Sequence, residues 1–374
     1  MTPQTHLALL LPGKRAQLII ASVPDVSPGA GEIAVKVRAL AVNPFDRYVQ
    51  AVGDVVTGYL AYPAVIGTDV AGEVVALGPG VSRFRIGDRV LGHAAGIEKC
   101  RNKAAEGGFQ ELVLLLAHMA SPIPADLSFE NAAVLPLGLS TAACGLFQKD
   151  FLALAPPRVD PVPTRETVLV WGGSSSVGSN AIQLARAAGY DVATTCSPAN
   201  FDYVRQLGAA HVFDYRRPSV DAEIVDAMRG RQVVGAITIG KGAAAACMRI
   251  LAQCEGRRFV AQASAPASFD DVTGTPGRWR KLLPALAKMV AGSIALKLLA
   301  KRTGLETKMI WGGSLIENEV GKMIYGAFLP EALSRKIYAA MPPSEVVGHG
   351  LQSISEAMAR QRRGVSARKL VVTL

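Results

Sequence analysis

Thr167-Val-Leu-Val-Trp-Gly-Gly-Ser-Ser-Ser-Val-Gly178 decides the fold of this chain. Its apolar run, residues 168–171, reads as a short strand. A turn of small residues follows, and then a helical pattern over 177–188. Strand, tight turn and helix, in that order, place a dinucleotide pyrophosphate on a helix N-terminus, where unpaired amides and the helix dipole favour negative charge. On the G-x-G-x-x-G template the three positions fall on Gly173, Ser175 and Gly178. Gly173 takes the turn, and Gly178 lets helix and strand approach closely. Ser175 replaces the middle glycine, and its hydroxyl is a candidate donor to a phosphate oxygen. Ser174, Ser175, Ser176 and Val177 are expected under the pyrophosphate. Glycine spacing alone also suits a ligand-free turn, so the flanking strand and helix carry the argument.

The choice of cofactor is read about 20 residues further on, where a carboxylate would hold a ribose 2′-hydroxyl. The next strand, expected over 191–195, ends in Cys196-Ser197-Pro198-Ala199-Asn200 with no carboxylate at its tip. Asp202 is placed on the following helix. Ser197 and Asn200 offer hydroxyl and amide donors to a 2′-phosphate. Tyr215, with Arg216 and Arg217 after the strand His211–Asp214, can complete that pocket. NADP(H) is expected over NAD(H).

At 374 residues the chain has room for two domains, each with its own core. Half of the residues are apolar, yet no uninterrupted apolar run reaches the length of a bilayer span. The nearest stretch, 282–299, contains Pro284, Lys288, Gly292 and Lys297 and reads as an amphipathic or part-buried helix; no membrane partner is expected. The first residues lack a signal pattern, since Pro12 and Gly13 interrupt the apolar run, and a cytoplasmic location is the default. Five cysteines, Cys100, Cys144, Cys196, Cys247 and Cys254, show no paired spacing and read as reduced thiols. The net charge of +10 is dispersed over clusters such as Arg278-Trp279-Arg280-Lys281, which suits solvated faces and an anionic cofactor. Neither a nucleic-acid module nor aromatic interleaving is present, so no nucleic-acid partner is expected.

Before the nucleotide turn the chain is strand-rich, with Glu32–Ala41 alternating as a half-buried strand and further strands over 65–77, 89–91 and 109–116. From residue 139 onward helices and strands alternate, with strands over 233–239, 258–262 and 308–311. That alternation argues for a doubly wound parallel sheet. Residues 156–164 form a proline-rich excursion. After residue 335 a short helix (353–361) and a terminal strand (369–374) follow.

The segment Gly67-Thr-Asp-Val-Ala-Gly-Glu-Val-Val-Ala-Leu-Gly-Pro-Gly-Val-Ser-Arg-Phe-Arg-Ile-Gly-Asp-Arg-Val-Leu-Gly92 closely resembles the catalytic domain of medium-chain dehydrogenase/reductases. So do Asn43-Pro-Phe-Asp46, Leu135-Pro-Leu-Gly-Leu-Ser-Thr-Ala142 and the nucleotide turn. The tail, Val347-Gly-His-Gly-Leu351 through Leu374, is similar to the fungal branch of that family, which includes trans-acting enoyl reductases of polyketide synthesis. The resemblance implies an α/β chain: a GroES-like β-rich catalytic domain, 1–135 and 336–374, and a doubly wound Rossmann NADP-binding domain, 136–335. It places the active site in the cleft between them.

Many members of that family are zinc enzymes. A catalytic zinc takes cysteine, histidine or carboxylate ligands and keeps one position open. The family's first zinc cysteine corresponds to Val42-Asn43-Pro44, and its Gly-His-Glu reads Gly67-Thr68-Asp69, so thiol and imidazole are both missing. Only Cys100 stands where a structural zinc wants four cysteines, and His93, Glu98 and Cys100 lack metal-ligand spacing. No metal is expected. Without a Lewis acid to hold an alkoxide, the expected reaction is reduction of a C=C bond conjugated to a carbonyl, in an enone, enoyl thioester or quinone. That reaction needs donors at the developing oxyanion and a proton source, with water as one option. Tyr48 is the first candidate donor, because related quinone oxidoreductases carry a tyrosine there, although a rim or core tyrosine fits the pattern equally. Tyr59 and Tyr62 rank behind it. The resemblance also sets Asn43 and Thr141 against the nicotinamide or its ribose, and gives Asp46 a capping role after Pro44. Gln262 and Trp311 frame the nicotinamide pocket, with Trp311 equally suited to a core. A zinc-free carbonyl reductase, a polyketide-synthase partner acting on substrate held by an acyl carrier domain, and a non-catalytic NADPH-binding protein remain alternatives.

Overall fold

A computed structural model describes residues 4–272 and 278–374 and divides the chain into two units. The first unit comprises Met1–Leu137, Phe269–Arg278 and Ile316–Leu374. Its main sheet runs Ser344–His349, Lys369–Thr373, Glu32–Ala41, Asp69–Leu77, Arg89–His93, Ala120–Pro122, with Leu112–Leu116 also on Glu32–Ala41. A smaller sheet joins Ile19–Pro24, Thr5–Leu11 and Ala64–Val65. Glu32–Ala41 pairs with three strands and is buried on both faces, Lys36 alone being exposed, where alternation predicts a half-buried strand. The single strand expected over 65–77 is broken in two, because Gly67 adopts φ +91°, which no strand continues through.

The second unit comprises Gly138–Ser268 and Trp279–Leu315. Its parallel sheet runs His211–Asp214, Asp191–Cys196, Glu166–Trp171, Gln232–Thr238, Phe259–Gln262, Glu306–Met309. Strand order therefore reverses direction at Glu166–Trp171, the strand of the nucleotide turn, and in open α/β sheets ligands bind at the carboxyl ends beside such a reversal. Leu169, Ala193, Ala236, Cys247, Ile250 and Val260 form the core on which the helices rest.

The boundary expected at residue 335 falls at 315. Residues 316–335 belong with the first unit because Tyr325 is fully buried there and donates to Pro136 O at 2.9 Å, while Arg83 donates to Tyr325 O at 3.1 Å. Phe269–Arg278 also belongs to the first unit, and of its described residues Arg278 Nη2 bonds Asp54 Oδ1 at 2.8 Å and Asp270 pairs with Arg47.

The stretch expected as a part-buried helix is the helix Trp279–Thr303, of which only Leu282, Ala285 and Ala300 are buried. Trp279, Leu283, Val290, Ile294 and Leu298 are all more than half exposed. It forms the crossover between the parallel neighbours Phe259–Gln262 and Glu306–Met309.

Candidate active site

The nucleotide turn departs from the sequence reading in two roles. Gly172, not Gly173, takes the positive φ of the turn, at +89°. A Cβ at Gly178 would lie 2.2 Å from Gly172 O, and one at Gly173 would lie 2.2 Å from Thr194 Oγ1, so both positions exclude any side chain. Ser175 caps the helix Ser176–Ala187: its Oγ accepts from Gly178 N at 3.1 Å and donates to Gly172 O at 2.8 Å. Its proton is thus committed to the turn, which corrects the expectation that Ser175 serves a phosphate. Ser176 takes that place instead. Its Oγ is buried with no hydrogen-bond partner among the described residues. The Ser176 and Val177 amides open the helix and have no acceptor within it. An unpartnered hydroxyl and two free amides at the positive end of a helix fit an anionic diphosphate. Ser174 lies half-buried in the turn beside them.

At the neighbouring strand tip, Asn200 Nδ2 donates to Ser197 Oγ at 3.1 Å, so these two residues form one small polar loop. Asp202 opens the helix Phe201–Gln206, is exposed, and pairs with Arg205. A carboxylate nonetheless stands close by. Asp214 is in register with Cys196 on the adjacent strand. Arg216 Nε binds it at 3.1 Å and holds its carboxyl below the usual carboxylate range. Arg217 binds Glu223 at 3.0 Å. Both arginines expected to be open to a phosphate are therefore already ion-paired, while Tyr215 between Asp214 and Arg216 is exposed.

At the far side of the sheet, Gln262 ends its strand and donates to Thr307 Oγ1. It lines a cavity of about 250 Å³ with Thr238, Ser264, Leu296 and Leu299. Thr141 lies on the helix Pro136–Phe147 under Gly312, whose added Cβ would meet Thr141 Oγ1 at 2.7 Å. The last strand stops at Met309, so Trp311 stands beyond it and is 37 % exposed rather than a core residue.

In the first unit the two stretches tested for zinc do meet, and an ammonium lies between them. Asn43 Nδ2 donates to Asp69 Oδ2 at 2.8 Å and to Thr68 Oγ1 at 3.4 Å. Lys369 Nζ sits 2.8 Å from Asp69 Oδ2 and donates to Asn43 Oδ1. Asp69 Oδ1 accepts from Leu137 N. Asp69 is fully buried and Lys369 5 % exposed. Lys369 was not among the residues that sequence reasoning selected. Its signal was a cation opening an otherwise apolar terminal strand. Asp46 accepts from Asn43 N at 2.7 Å, in keeping with a cap, but its Oδ1 is buried without a partner. Burial pushes the Asp46 carboxyl up to about 7, and the Asp69 charge adds to the rise.

Tyr48 is not poised as an unengaged donor. It lies on the helix Pro44–Val56, and its hydroxyl donates to Asp270 Oδ1 at 3.1 Å. Arg47 binds the same oxygen at 2.6 Å and covers the Tyr48 ring at 5.2 Å. Tyr59 donates to Ile97 O, and burial raises its hydroxyl to about 12. Burial also raises the Tyr62 hydroxyl.

A zinc does not fit this donor set. The carboxylate of Asp69 is already neutralised by Lys369, and an amide and a hydroxyl complete its surroundings. Among the described residues, no three His, Cys, Asp or Glu side chains gather as a metal site.

Residues 29–125 match the alcohol dehydrogenase GroES-like domain, and residues 176–266 match the domain described as zinc-binding dehydrogenase. The chain is 46 % identical over 373 residues to "Dehydrogenase pigH" of Monascus ruber, covering 99 % of this chain and 100 % of that one. It is 36 % identical over 344 residues to "Trans-enoyl reductase himH" of Aspergillus japonicus, covering 92 % and 90 % of the two chains. Its fold is similar to that of an alcohol dehydrogenase superfamily protein from Novosphingobium aromaticivorans. The TM-score is 0.70 at 22 % identity, over 99 % of this chain and 100 % of that one. A GroES-like unit, a doubly wound nucleotide unit and relatives along the whole length converge on a family of nicotinamide-dependent oxidoreductases. This chain belongs to the medium-chain dehydrogenase/reductase superfamily, in its zinc-free branch.

Proposed function

We propose that this protein is an NADPH-dependent, metal-independent reductase of a C=C bond conjugated to a carbonyl, in an enone, enoyl thioester or quinone of fungal secondary metabolism. The observation that carries the reading is the Lys369 ammonium bound between Asn43 and Asp69, on the two stretches where a zinc-dependent relative would place ligands. A lysine there supplies no Lewis acid for an alkoxide, which disfavours alcohol oxidation and leaves conjugate reduction, whose charge develops on a delocalised enolate. The name of the 36 % identical relative, a trans-enoyl reductase, agrees with it.

Bound NADPH supplies the hydride that reaches the substrate's β-carbon. Ser176 Oγ and the Ser176 and Val177 amides hold the diphosphate. Ser197, Asn200 and Tyr215 take the 2′-phosphate, with Arg216 keeping Asp214 neutralised beside them. The family resemblance gives Asn43 and Thr141 contacts to the nicotinamide or its ribose, and within the first unit Asn43 is oriented by Lys369 and Asp69. The enolate is protonated at its α-carbon by Tyr48, if substrate displaces Asp270 from its hydroxyl, or by water. Replacing Ser176 by Ala is expected to weaken NADPH binding about tenfold, the worth of one charge-assisted hydrogen bond. Fluorescence titration checks this, and unchanged affinity would remove Ser176 from the diphosphate site.

The deciding experiment is product identification by NMR after anaerobic NADPH oxidation with enones and enoyl thioesters, using EDTA-treated protein. A saturated carbonyl is expected. An allylic alcohol, or turnover restored only by zinc, would overturn the reading in favour of a carbonyl reductase. Carrier-bound thioester turned over much faster than the free thioester would identify an acyl carrier domain of a polyketide synthase as partner.

A further inference from the structure

We infer that the helix Trp279–Thr303 docks this protein onto an anionic phospholipid surface, lying in the plane of the membrane. Leu283, Val290, Ile294 and Leu298 recur at the spacing of one helical face and are all more than half exposed. The opposite face holds the buried Leu282, Ala285 and Ala300, and Ala300 with Leu296 and Leu299 packs into the Rossmann core. The outward side is thus the apolar one, the reverse of a solvated helix.

The helix carries six cations, Arg280, Lys281, Lys288, Lys297, Lys301 and Arg302, and no acidic residue. Lys288 and Lys297 fall on opposite flanks of the stripe, and the other four cluster at the two ends. Amines on long stems can reach headgroup phosphates while the stripe between them enters the acyl boundary, which is the pattern of an interfacial helix. Trp279 at the first turn suits the headgroup level.

Length and composition would also allow this helix to cross a bilayer. The topology forbids it: the strands it connects pair in register from Phe259↔Glu306 to Gln262↔Met309, and threading the crossover through a membrane would pull them apart. A second copy would set six cations against six. An acidic protein face would satisfy the amines but would leave leucine, valine and isoleucine against carboxylates. An anionic bilayer answers both features together. The expectation of no membrane partner rested on the length of a span, a criterion that a helix lying flat does not meet or fail.

The test is flotation of the full chain with vesicles of phosphatidylcholine alone and of phosphatidylcholine mixed with phosphatidylserine. Wild type is expected to float with the anionic vesicles and to be released by high salt. Leu283→Glu/Ile294→Glu and Lys288→Gln/Lys297→Gln should each lower the partition coefficient about tenfold or more. All four positions are exposed, so circular dichroism melts should match wild type. Absence of wild-type flotation, or variants that bind like wild type, would overturn the inference. So would a dimer in sedimentation velocity that Ile294→Glu dissociates while vesicles bind nothing.

Discussion

Lys369→Met is expected to destabilise the protein by about 3–5 kcal/mol, the cost of leaving a buried charge without its counter-ion. Asp69 is fully buried, and its Oδ2 faces Lys369 Nζ at 2.8 Å. The methionine keeps most of the volume of the lysine stem but removes the ammonium, so the carboxylate and Asn43 Oδ1 lose their shared donor. The remaining donors to Asp69, from Asn43 Nδ2 and Leu137 N, are neutral and do not balance the charge. Lys369→Met/Asp69→Asn should recover most of the loss, because asparagine keeps an acceptor for Leu137 N and carries no charge to strand. Urea unfolding followed by circular dichroism measures all three proteins. A single-variant loss below about 1 kcal/mol would mean that water reaches Asp69 and that the pair contributes no more than a surface bridge.

Two buried groups in the same unit should impose opposing pH dependences that single substitutions separate. Burial raises the Asp46 carboxyl from 3.8 to about 7, so the folded state holds its proton more tightly than the unfolded chain does. Its contribution is complete below pH 3.8 and is lost as pH rises toward 7. Burial lowers the His93 imidazole from 6.5 to about 4, partly offset by the nearby Asp69 charge. Its contribution is complete above pH 6.5 and is lost as pH falls toward 4. Across the shared window, pH 4 to 6.5, the two slopes oppose each other, each at most about 1.4 kcal/mol per pH unit. Relative to wild type, Asp46→Asn should make stability rise more steeply with pH in that window. His93→Gln should make it fall. Urea unfolding at three pH values between 4 and 7 distinguishes them. Stability curves parallel to wild type for both variants would show that neither group titrates there.

Much of the nucleotide unit was legible because its rules are local. A strand, a positive-φ glycine and two glycines with no room for a Cβ are properties of twelve consecutive residues, and the helix Ser176–Ala187 follows from the same stretch. The division of labour between Ser175 and Ser176 was not legible. Both are serines at a helix start, and only the backbone geometry decides which hydroxyl closes the turn and which is left over. The long apolar helix shows the same limit: its composition reads alike whether the leucines face a core or the outside, and the crossover position decides.

The sequence by itself determined the two kinds of architecture, the nucleotide turn and the loss of the zinc ligands, because period, turn chemistry and residue type are carried by neighbours along the chain. Only the tertiary structure decided that Lys369 meets Asn43 across 326 positions, that Asp270 accepts the hydrogen bond of the Tyr48 hydroxyl, and that Arg216 is occupied by Asp214. The strength of a buried charge or an engaged hydroxyl depends on what surrounds it, and those surroundings are assembled from distant segments.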